Sequence, residues 1–284
     1  MKLDNNEWDQ IIDPKKNKFI FNLYEVLYYK DLIKFFIKRD FVVFYKQTIL
    51  GPLWYVIQPL INTIVFTIIF GNLAKISTDG NPPFLFYLSG NVIWAYFAIC
   101  LTITSRTFLT NANIFGKVYF PRVSVPISNV IFSLLQFCLQ FSIFIIFYIY
   151  FFLNGSSFNF NPYLLIILPL ILLQTAFFAL GFGLLISSLT TKYRDLNFVL
   201  DFFVQLWMFA TPIVYPLSLV PDNYKLLIAI NPMTSIVELM RKIFFGSSAI
   251  QIEHIIISIA VSLIVFILGI INFNRVEKNF MDTI

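Results

Sequence analysis

Hydrophobic residues form six long runs, which are separated by shorter segments rich in Gly, Pro, Asn and charged residues. A helix needs about 20 mainly apolar residues to cross the hydrocarbon core of a bilayer. The runs have about this length or exceed it, and the segments between them have the composition of loops. The pattern predicts an all-α polytopic membrane protein with six transmembrane helices, at residues 53–73, 84–104, 125–153, 163–189, 198–215 and 252–273.

An amphipathic segment, residues 19–46, precedes the first run. Lys30, Lys34 and Lys38 recur at every fourth position, so they share one stripe of a helix, and apolar residues occupy the opposite side. Such a helix is typical of one that lies in the headgroup plane of a membrane, although a soluble surface helix has the same pattern. We therefore divide the chain into a cytoplasmic N-terminal segment with an interfacial helix, 1–50, and a transmembrane domain, 51–284.

The segment between the fifth and sixth runs, residues 216–251, does not have the pattern of a simple loop. It contains two apolar stretches, 224–230 and 233–245, which are too short to span and are flanked by prolines. Short apolar segments of this length often enter and leave a membrane on the same face, while prolines interrupt a continuous helix. We expect a pair of re-entrant helices on the outer side.

Composition supports a membrane environment and suggests an orientation. Of the 284 residues, 58% are hydrophobic and 12% are charged, and the mean hydropathy is +0.80, which excludes an ordinary soluble enzyme. Sixteen of the 20 Lys and Arg residues fall on the side that holds both chain ends if there are six spans. The positive-inside rule then places both termini in the cytoplasm. The net charge of +5 is interpreted as contact with anionic membrane lipids rather than with nucleic acid.

Residues for catalysis or for self-powered transport are scarce. The chain has a single histidine, His254, and the Gly116-Lys117 pair has Asn111 where a phosphate-binding loop requires its first glycine. Few ionisable residues lie deep within the apolar runs, whereas ion-coupled carriers usually place such groups near the bilayer midplane. We expect no catalytic residues, metal or cofactor in this chain, and a source of energy outside it.

Several short motifs, in order along the chain, resemble those of ABC-2 type exporter permeases, and in particular of the branch that exports polysaccharides. The first group surrounds the start of the first apolar run, and later groups fall in the loops. They are Arg39-Asp40, Tyr45-Lys46-Gln47-Thr48, Leu50-Gly51-Pro52-Leu53-Trp54, Gln58-Pro59, Asn113-Ile114, Phe120-Pro121-Arg122, Tyr193-Arg194-Asp195, Thr211-Pro212, Asn231-Pro232-Met233 and Asn274-Arg275.

The resemblance implies a subunit of the bacterial inner membrane that carries no ATPase site of its own. It implies that two copies form a channel and that two separate ATPase subunits bind ATP and Mg²⁺ on the cytoplasmic side. The expected cargo is a lipid-linked polysaccharide of the O-antigen type, moved outward. Export of capsule or teichoic acid is the alternative within the family, and a membrane enzyme acting on lipid-linked sugars is the alternative outside it.

The resemblance also implies where the ATPase subunits dock. The interfacial helix and the loop at residues 105–122 would contact them, with Ile114 and Phe115 as exposed apolar contacts; a solvated loop is the alternative. The expected docking and coupling residues are Lys38, Arg39, Asp40, Asn113, Ile114, Phe115, Gly116, Lys117, Tyr119, Phe120, Pro121 and Arg122.

Two further sets of residues are expected to act on the cargo. Glu238 and Arg241 are three residues apart and can pair on one helix face, although both are equally compatible with a solvated position. The expected outer gate comprises Pro212, Tyr215, Pro216, Asn231, Pro232, Glu238 and Arg241. Aromatic rings suit weak contacts with a moving sugar polymer, but they are also common in lipid-facing belts and helix cores. The candidate channel aromatics are Tyr87, Trp94, Tyr96, Tyr148 and Trp207.

Overall fold

The computed structural model describes residues 23–46, 51–118, 120–156, 158–193, 195–246 and 248–279. In this part of the chain the regular structure is helical and contains no β-strand. The α-helices are α1 (Leu23–Tyr28), α2 (Lys30–Lys46), α3 (Trp54–Phe66), α4 (Pro83–Ser105), α5 (Thr107–Phe115), α6 (Ser124–Leu153), α7 (Ile167–Thr190), α8 (Leu196–Ala210), α9 (Asp222–Ala229), α10 (Pro232–Phe245) and α11 (Ile252–Asn279).

Five helical segments in the described residues are long and apolar enough to cross a membrane, which confirms a polytopic membrane protein. α3 is extended by a π-helical segment, Thr67–Leu73, and α7 is preceded by a 3₁₀ turn, Pro162–Ile166. The five candidate spans are Trp54–Leu73, Pro83–Ser105, Ser124–Leu153, Pro162–Thr190 and Ile252–Glu277.

The fifth apolar run forms a shorter helix than its sequence predicts. The run extends to residue 215, but α8 ends at Ala210 and has 15 residues. The cause is Pro212, since the residue before a proline is disfavoured in the helical region, and Thr211 is accordingly extended, with ψ at 142°. A helix of this length rises about 22 Å, which is less than the thickness of the hydrocarbon core.

α4 lies at the centre of the bundle. It packs against α3, α6, α7 and α10. Of the 18 residues that form its most apolar stretch, 78% are buried. The equivalent fraction for Trp54–Leu73 is only 17%. A helix that is hydrophobic on all sides is expected in a protein core or a membrane, and α4 is surrounded by other helices of the same chain.

Close backbone contacts join α7 to its neighbours. A Cβ atom added at Gly181 would lie 2.4 Å from the Cα atom of Phe266 in α11, and one added at Gly183 would lie 2.6 Å from the Cβ atom of Thr104 in α4. Small residues allow transmembrane helices to approach closely and to pack by van der Waals contact. These two glycines therefore fix the α4–α7–α11 core within one subunit.

Short helices occupy the 216–251 segment, where two short helices were predicted, and the 105–122 segment, where a loop was predicted. α9 and α10 lie where the two short apolar stretches predict them, and Asn231 begins α10 by accepting a hydrogen bond from the backbone N–H of Met233. α5 lies within the 105–122 segment, which is therefore partly helical rather than a loop throughout. Gly246 ends α10 in the left-handed region, with φ at 75°, where glycine is favoured.

Candidate functional site: two clusters at the ends of the bundle

Five phenylalanines from four parts of the chain form one contact series, called the aromatic cluster below. The ring of Phe36 in α2 lies 5.9 Å from that of Phe120, which in turn lies 5.8 Å from that of Phe115. Phe115 is 5.9 Å from Phe108 in α5, and Phe108 stacks on Phe273 of α11 at 4.5 Å. These separations are within the range of favourable aromatic pairs. The cluster therefore connects the predicted interfacial helix, the 105–122 segment and the last helix.

Arg122 adds polar contacts to the aromatic cluster. Its Nη1 donates to the backbone carbonyl of Glu277, its backbone N–H donates to Oε1 of Glu277 at 3.4 Å, and its guanidinium lies 5.6 Å from the centre of the Phe115 ring. Both side chains are partly buried. Since Glu277 is in α11 and Arg122 follows α5, these contacts hold the 105–122 segment against the end of the last helix.

The structure divides the expected docking residues into an exposed and an interior set. Ile114 is 36% exposed, whereas Phe115 is 3% exposed, so the expectation that Phe115 is exposed is wrong. The reason is helix periodicity: Phe108 and Phe115 are seven residues apart, share one face of α5 and both turn towards the protein. The exposed set comprises Lys38, Asn113, Ile114, Gly116 and Lys117, joined by the neighbouring Val118.

The remaining docking residues are buried or partly buried, or are not described. Phe120 is buried, while Arg39, Asp40, Pro121 and Arg122 are half-buried. Arg39 Nε donates to Oδ1 of Asp40 at 2.8 Å, and the Arg39 guanidinium lies 4.9 Å from the centre of the Phe36 ring. Tyr119 lies outside the described residues.

At the outer end predicted from the sequence, Arg241 is the centre of a second group, called the ionic cluster below. Its Nη1 donates to Oε1 of Glu238 at 2.9 Å and to the backbone carbonyl of Pro212 at 2.6 Å. Its Nη2 donates to the carbonyl of Ile213 at 2.9 Å, and its guanidinium lies 3.6 Å from the centre of the Phe86 ring. The ionic cluster comprises Phe86, Pro212, Ile213, Glu238 and Arg241.

The ion pair is buried, so the alternative of a solvated pair is wrong. Glu238 and Arg241 are each 2% exposed. Burial lowers the pKa of the Arg241 guanidinium, and the neighbouring Glu238 carboxylate opposes this effect. An arginine nevertheless stays protonated in proteins, and the second oxygen of Glu238 accepts from Ser248 Oγ at 2.8 Å. The charges are therefore paired and hydrogen-bonded, as buried charges must be.

The predicted gate residues meet around the break after α8. Asn231 Nδ2 donates to Thr211 Oγ1 at 2.9 Å, which connects the start of α10 to the end of α8. Pro212, Pro216 and Pro232 are buried, and Tyr215 is half-buried. The structure thus brings together α4, α8 and α10 at one place, and Arg241 satisfies two carbonyl groups of the irregular segment that follows α8.

Sequence reasoning named five aromatic residues as candidates for a channel lining, with a helix core or a lipid-facing belt as the alternative, and the structure distributes them. Tyr87, Trp94 and Tyr96 of α4 are at most 6% exposed, since α4 is enclosed by other helices, so they are core residues of this subunit. Tyr148 donates to the carbonyl of Phe244 at 2.8 Å and stacks on other rings near the ionic cluster. Trp207 is half-buried and lies 6.4 Å from Trp94.

Among the polar contacts between helices that were not predicted, two had a signal in the sequence. Arg106, which follows α4, contacts both oxygens of Asp201 in α8, at 2.8 and 2.6 Å. Gln140 of α6 donates to the backbone carbonyl of Tyr55 in α3 at 3.1 Å. The opposite charges at the ends of neighbouring runs were a signal for the first contact. For the contact of Gln140 with Tyr55, the signal was Pro59. A proline four residues after Tyr55 has no N–H to donate to the Tyr55 carbonyl, so another donor is needed.

Comparison with known proteins identifies the family. The sequence profile of the ABC-2 type transporter family matches residues 31–245, which include most of the aromatic cluster and the whole ionic cluster. The chain belongs to the ABC-2 type transporter family. It is therefore a multi-pass integral membrane protein and a transport subunit rather than an enzyme. Among the described residues of this ABC-2 protein, no group of three or more His, Cys, Asp or Glu side chains has the geometry of a metal site.

Curated relatives of this ABC-2 protein are similar over nearly their full length. Two proteins from Klebsiella pneumoniae, each described as "O-antigen export system permease protein RfbA", are 27% identical over 260 residues, covering 91% of this chain and 97% of theirs. A protein of the same description from Myxococcus xanthus is 24% identical over 262 residues, covering 92% of this chain and 98% of its own.

Proposed function

We propose that this chain is the permease subunit of an ATP-driven exporter that moves a lipid-linked polysaccharide of the O-antigen type out of the cytoplasm. The observation that carries the proposal is the similarity to O-antigen export permeases over 97–98% of their length, within a family of membrane transport subunits. The exporter lies in the bacterial inner membrane. Two copies of the chain enclose the channel, and two separate ATPase subunits bind ATP and Mg²⁺.

The proposed topology has six crossings, with α8 as the fifth. α8 alone is about one turn or two short of the hydrocarbon thickness, and the irregular residues 211–216 complete the crossing. Irregular backbone is tolerated at membrane depth where it is buried in protein. Pro212, Ile213 and Val214 are buried, which supports this assignment. α9 and α10 are then re-entrant on the outer side, and both termini are cytoplasmic, in agreement with the positive-inside rule.

The ATPase subunits dock on the exposed side of the 105–122 segment and on the interfacial helix. Ile114 and Val118 are exposed apolar residues beside the exposed Lys117, and Lys38 is exposed on α2, so a partner with an apolar groove and acidic rim would fit. The buried aromatic cluster beneath them transmits the movement of that surface to α2 and α11. A ligand-driven change requires contacts that differ between the two states, and ATP binding in the partner supplies this difference.

The outer gate is formed by the ionic cluster and by Asn231 and Pro232 at the start of α10. Arg241 joins α10 to the end of α8 through two carbonyl groups, so a movement of α8 shifts the re-entrant pair as a unit. Trp207 and Tyr148, which are half-buried, remain candidates for contact with the glycan. Tyr87, Trp94 and Tyr96 act indirectly, by packing α4.

Co-purification with the partner ATPase tests the docking assignment. Ile114→Asp places a charge in the exposed apolar surface, and we expect loss of the ATPase from the purified complex with normal membrane insertion. Leu219→Asp is the matched control, since Leu219 is also an exposed apolar residue but lies in the outer region. Retention of the ATPase by the Ile114 variant would overturn the docking assignment.

Deletion of this chain tests the cargo. We expect the surface polysaccharide to disappear and its lipid-linked precursor to accumulate inside the cell, with recovery when the chain is supplied again. Loss of capsule or teichoic acid with an intact O-antigen would overturn the proposed cargo. A block in synthesis of the lipid-linked precursor would instead indicate an enzyme.

A further inference from the structure

α3 contains a proline where a regular helix requires a backbone donor. Pro59 lies within Trp54–Phe66 and has no N–H to donate to the carbonyl of Tyr55, four residues earlier. A backbone carbonyl that packs against another helix needs a hydrogen-bond partner there, because a buried unpaired carbonyl costs free energy. Gln140 of α6 supplies the hydrogen bond, at 3.1 Å.

The other half of the span is held by a different helix. Thr63 donates to the carbonyl of Pro59 at 2.7 Å, and its hydroxyl accepts from Asn91 of α4 at 3.0 Å. Further along, the ring of Phe66 lies 6.3 Å from that of Tyr87 in α4. The span is thus bound to α6 on the N-terminal side of Pro59 and to α4 on its C-terminal side.

The C-terminal half is itself irregular. Thr67 donates to the carbonyl of Thr63 at 2.7 Å, a contact that bends helices. The segment that follows, Thr67–Leu73, is π-helical, with the N–H of Ala74 donating to the carbonyl of Ile69 at 2.8 Å. Local π-helix frequently marks functional sites in helices. Few side chains restrain this span, since only 17% of its apolar window is buried.

From these contacts we propose that the first span is a hinged helix. Pro59 is the hinge, Gln140 holds the N-terminal half through the Tyr55 carbonyl, and the Thr63–Asn91 contact holds the C-terminal half. The interfacial helix α2 precedes this span and contacts the aromatic cluster through Phe36. Displacement of α2 therefore turns the N-terminal half, which keeps its contact with α6, relative to the C-terminal half, which stays with α4. Only the cause of that displacement, ATP binding in the partner ATPase, rests on the proposed function.

A double-mutant cycle tests the pairing of Pro59 and Gln140 without any transport assay. Gln140→Leu removes the side-chain donor to the Tyr55 carbonyl, and we expect the melting midpoint of the purified protein to fall by about 2–5 °C. Pro59→Ala restores the missing N–H, so the same leucine substitution made in that background should cause little further change. Gln174→Leu is the control, because Gln174 bonds Ser258 in another helix pair and its effect should not depend on Pro59.

Movement of the hinge is measured by the distance between spin labels at Trp54 and Leu73, which are exposed at the two ends of the span. In the complex with the ATPase, we expect this distance to change on ATP binding in the native chain and to stay constant in Pro59→Ala. Pro169→Ala, in the first turn of α7, is the control and should leave the change intact.

The hinge and the proposed function fail separately in these experiments. Additive effects of Pro59→Ala and Gln140→Leu would overturn the pairing, and an equal ATP-dependent change in Pro59→Ala would overturn the hinge. A hinge that moves while another glycan is exported would contradict only the proposed cargo. Full export by Pro59→Ala would also overturn the hinge, because a straight span would then suffice.

Discussion

The aromatic cluster and the ionic cluster stabilise opposite ends of the bundle by different physical means. In the ionic cluster, the charges of Glu238 and Arg241 and the carbonyls after α8 are paired with one another inside one chain. In the aromatic cluster, apolar rings are buried beneath a surface that leaves Ile114, Lys117 and Val118 exposed. The first arrangement pairs the two charges and both Nη groups of Arg241 within the subunit. The second provides a stable base for a surface that is available to a partner.

This difference explains why neighbouring residues should respond unequally to mutation. When one partner of a buried ion pair is removed, the remaining charge stays buried without a partner. The loss in free energy of unfolding is therefore large. Buried rings lose packing when shortened, whereas exposed residues beside them change binding with little effect on folding. Four substitutions, ordered by the size of their expected effect, test the comparison.

Arg241→Met should have the largest effect. It leaves the Glu238 carboxylate buried without its cation, and breaking a buried pair in this way costs about 3–5 kcal/mol. We expect low yield and a much lower melting midpoint in detergent, with partial recovery when Glu238→Gln is added. Lys225→Met is the control and should be nearly neutral, because its partner Asp222 is 91% exposed and stays solvated without the lysine. An unchanged midpoint for Arg241→Met would show that the ionic cluster does not stabilise this end.

Phe115→Ala should have the next largest effect. Truncation of a buried phenylalanine costs about 3 kcal/mol or more through lost packing and the cavity that remains. Ile114→Ala is adjacent but partly exposed, so a melting curve should show a loss of less than about 1 kcal/mol. Equal losses at both positions would contradict the division into interior and exposed residues.

Arg122→Met should destabilise the contact between the 105–122 segment and α11 by about 1.5–3 kcal/mol, the usual contribution of hydrogen bonds to a charged group. Glu277→Gln should have a smaller effect, because Arg122 donates to the backbone carbonyl of residue 277 as well as to its carboxylate. Hydrogen exchange of residues 105–118 measures the difference. Faster exchange in the glutamine variant than in Arg122→Met would contradict this order.

Asp201→Asn should have the smallest effect. This is expected although Arg106 Nη2 lies only 2.6 Å from Oδ2 of Asp201. Both side chains are more than a third exposed, and exposed ion pairs contribute about 0.2–1 kcal/mol. The difference from the native chain should disappear when the melting midpoint is measured in high salt, because salt screens exposed charges. A loss as large as that of Arg241→Met would remove the distinction between buried and exposed pairs.

The sequence was sufficient to predict the elements that depend on periodicity and composition. The apolar runs that became α4, α6, α7 and α11 were identified because each is long and uninterrupted. The positions of α9 and α10 followed from prolines and from short apolar stretches. The end of α8 was misplaced because the run of apolar residues continues through Pro212, and hydropathy does not register the loss of helical geometry.

The candidate site was less predictable, since burial depends on which helices are neighbours. Phe115 was assigned to the surface because it lies in the segment between two predicted spans, although its seven-residue spacing from Phe108 indicated a shared inner face. Tyr96 and Tyr87 were candidates for a channel lining because aromatic rings suit sugars, and they turned out to fit the alternative of a helix core. The pairing of Glu238 with Arg241 was predictable from their spacing, and their contacts with Pro212 and Ile213 required the tertiary fold.

The central claim is that this subunit forms a passage whose movement is driven by ATP hydrolysis in another protein. The most direct test reconstitutes the subunit with its ATPase in vesicles that contain a lipid-linked glycan, and measures glycan exposure on the opposite leaflet. We predict exposure only with ATP and an ATPase whose phosphate-binding lysine is intact. Equal exposure by the subunit alone, driven by an ion gradient, would contradict the account.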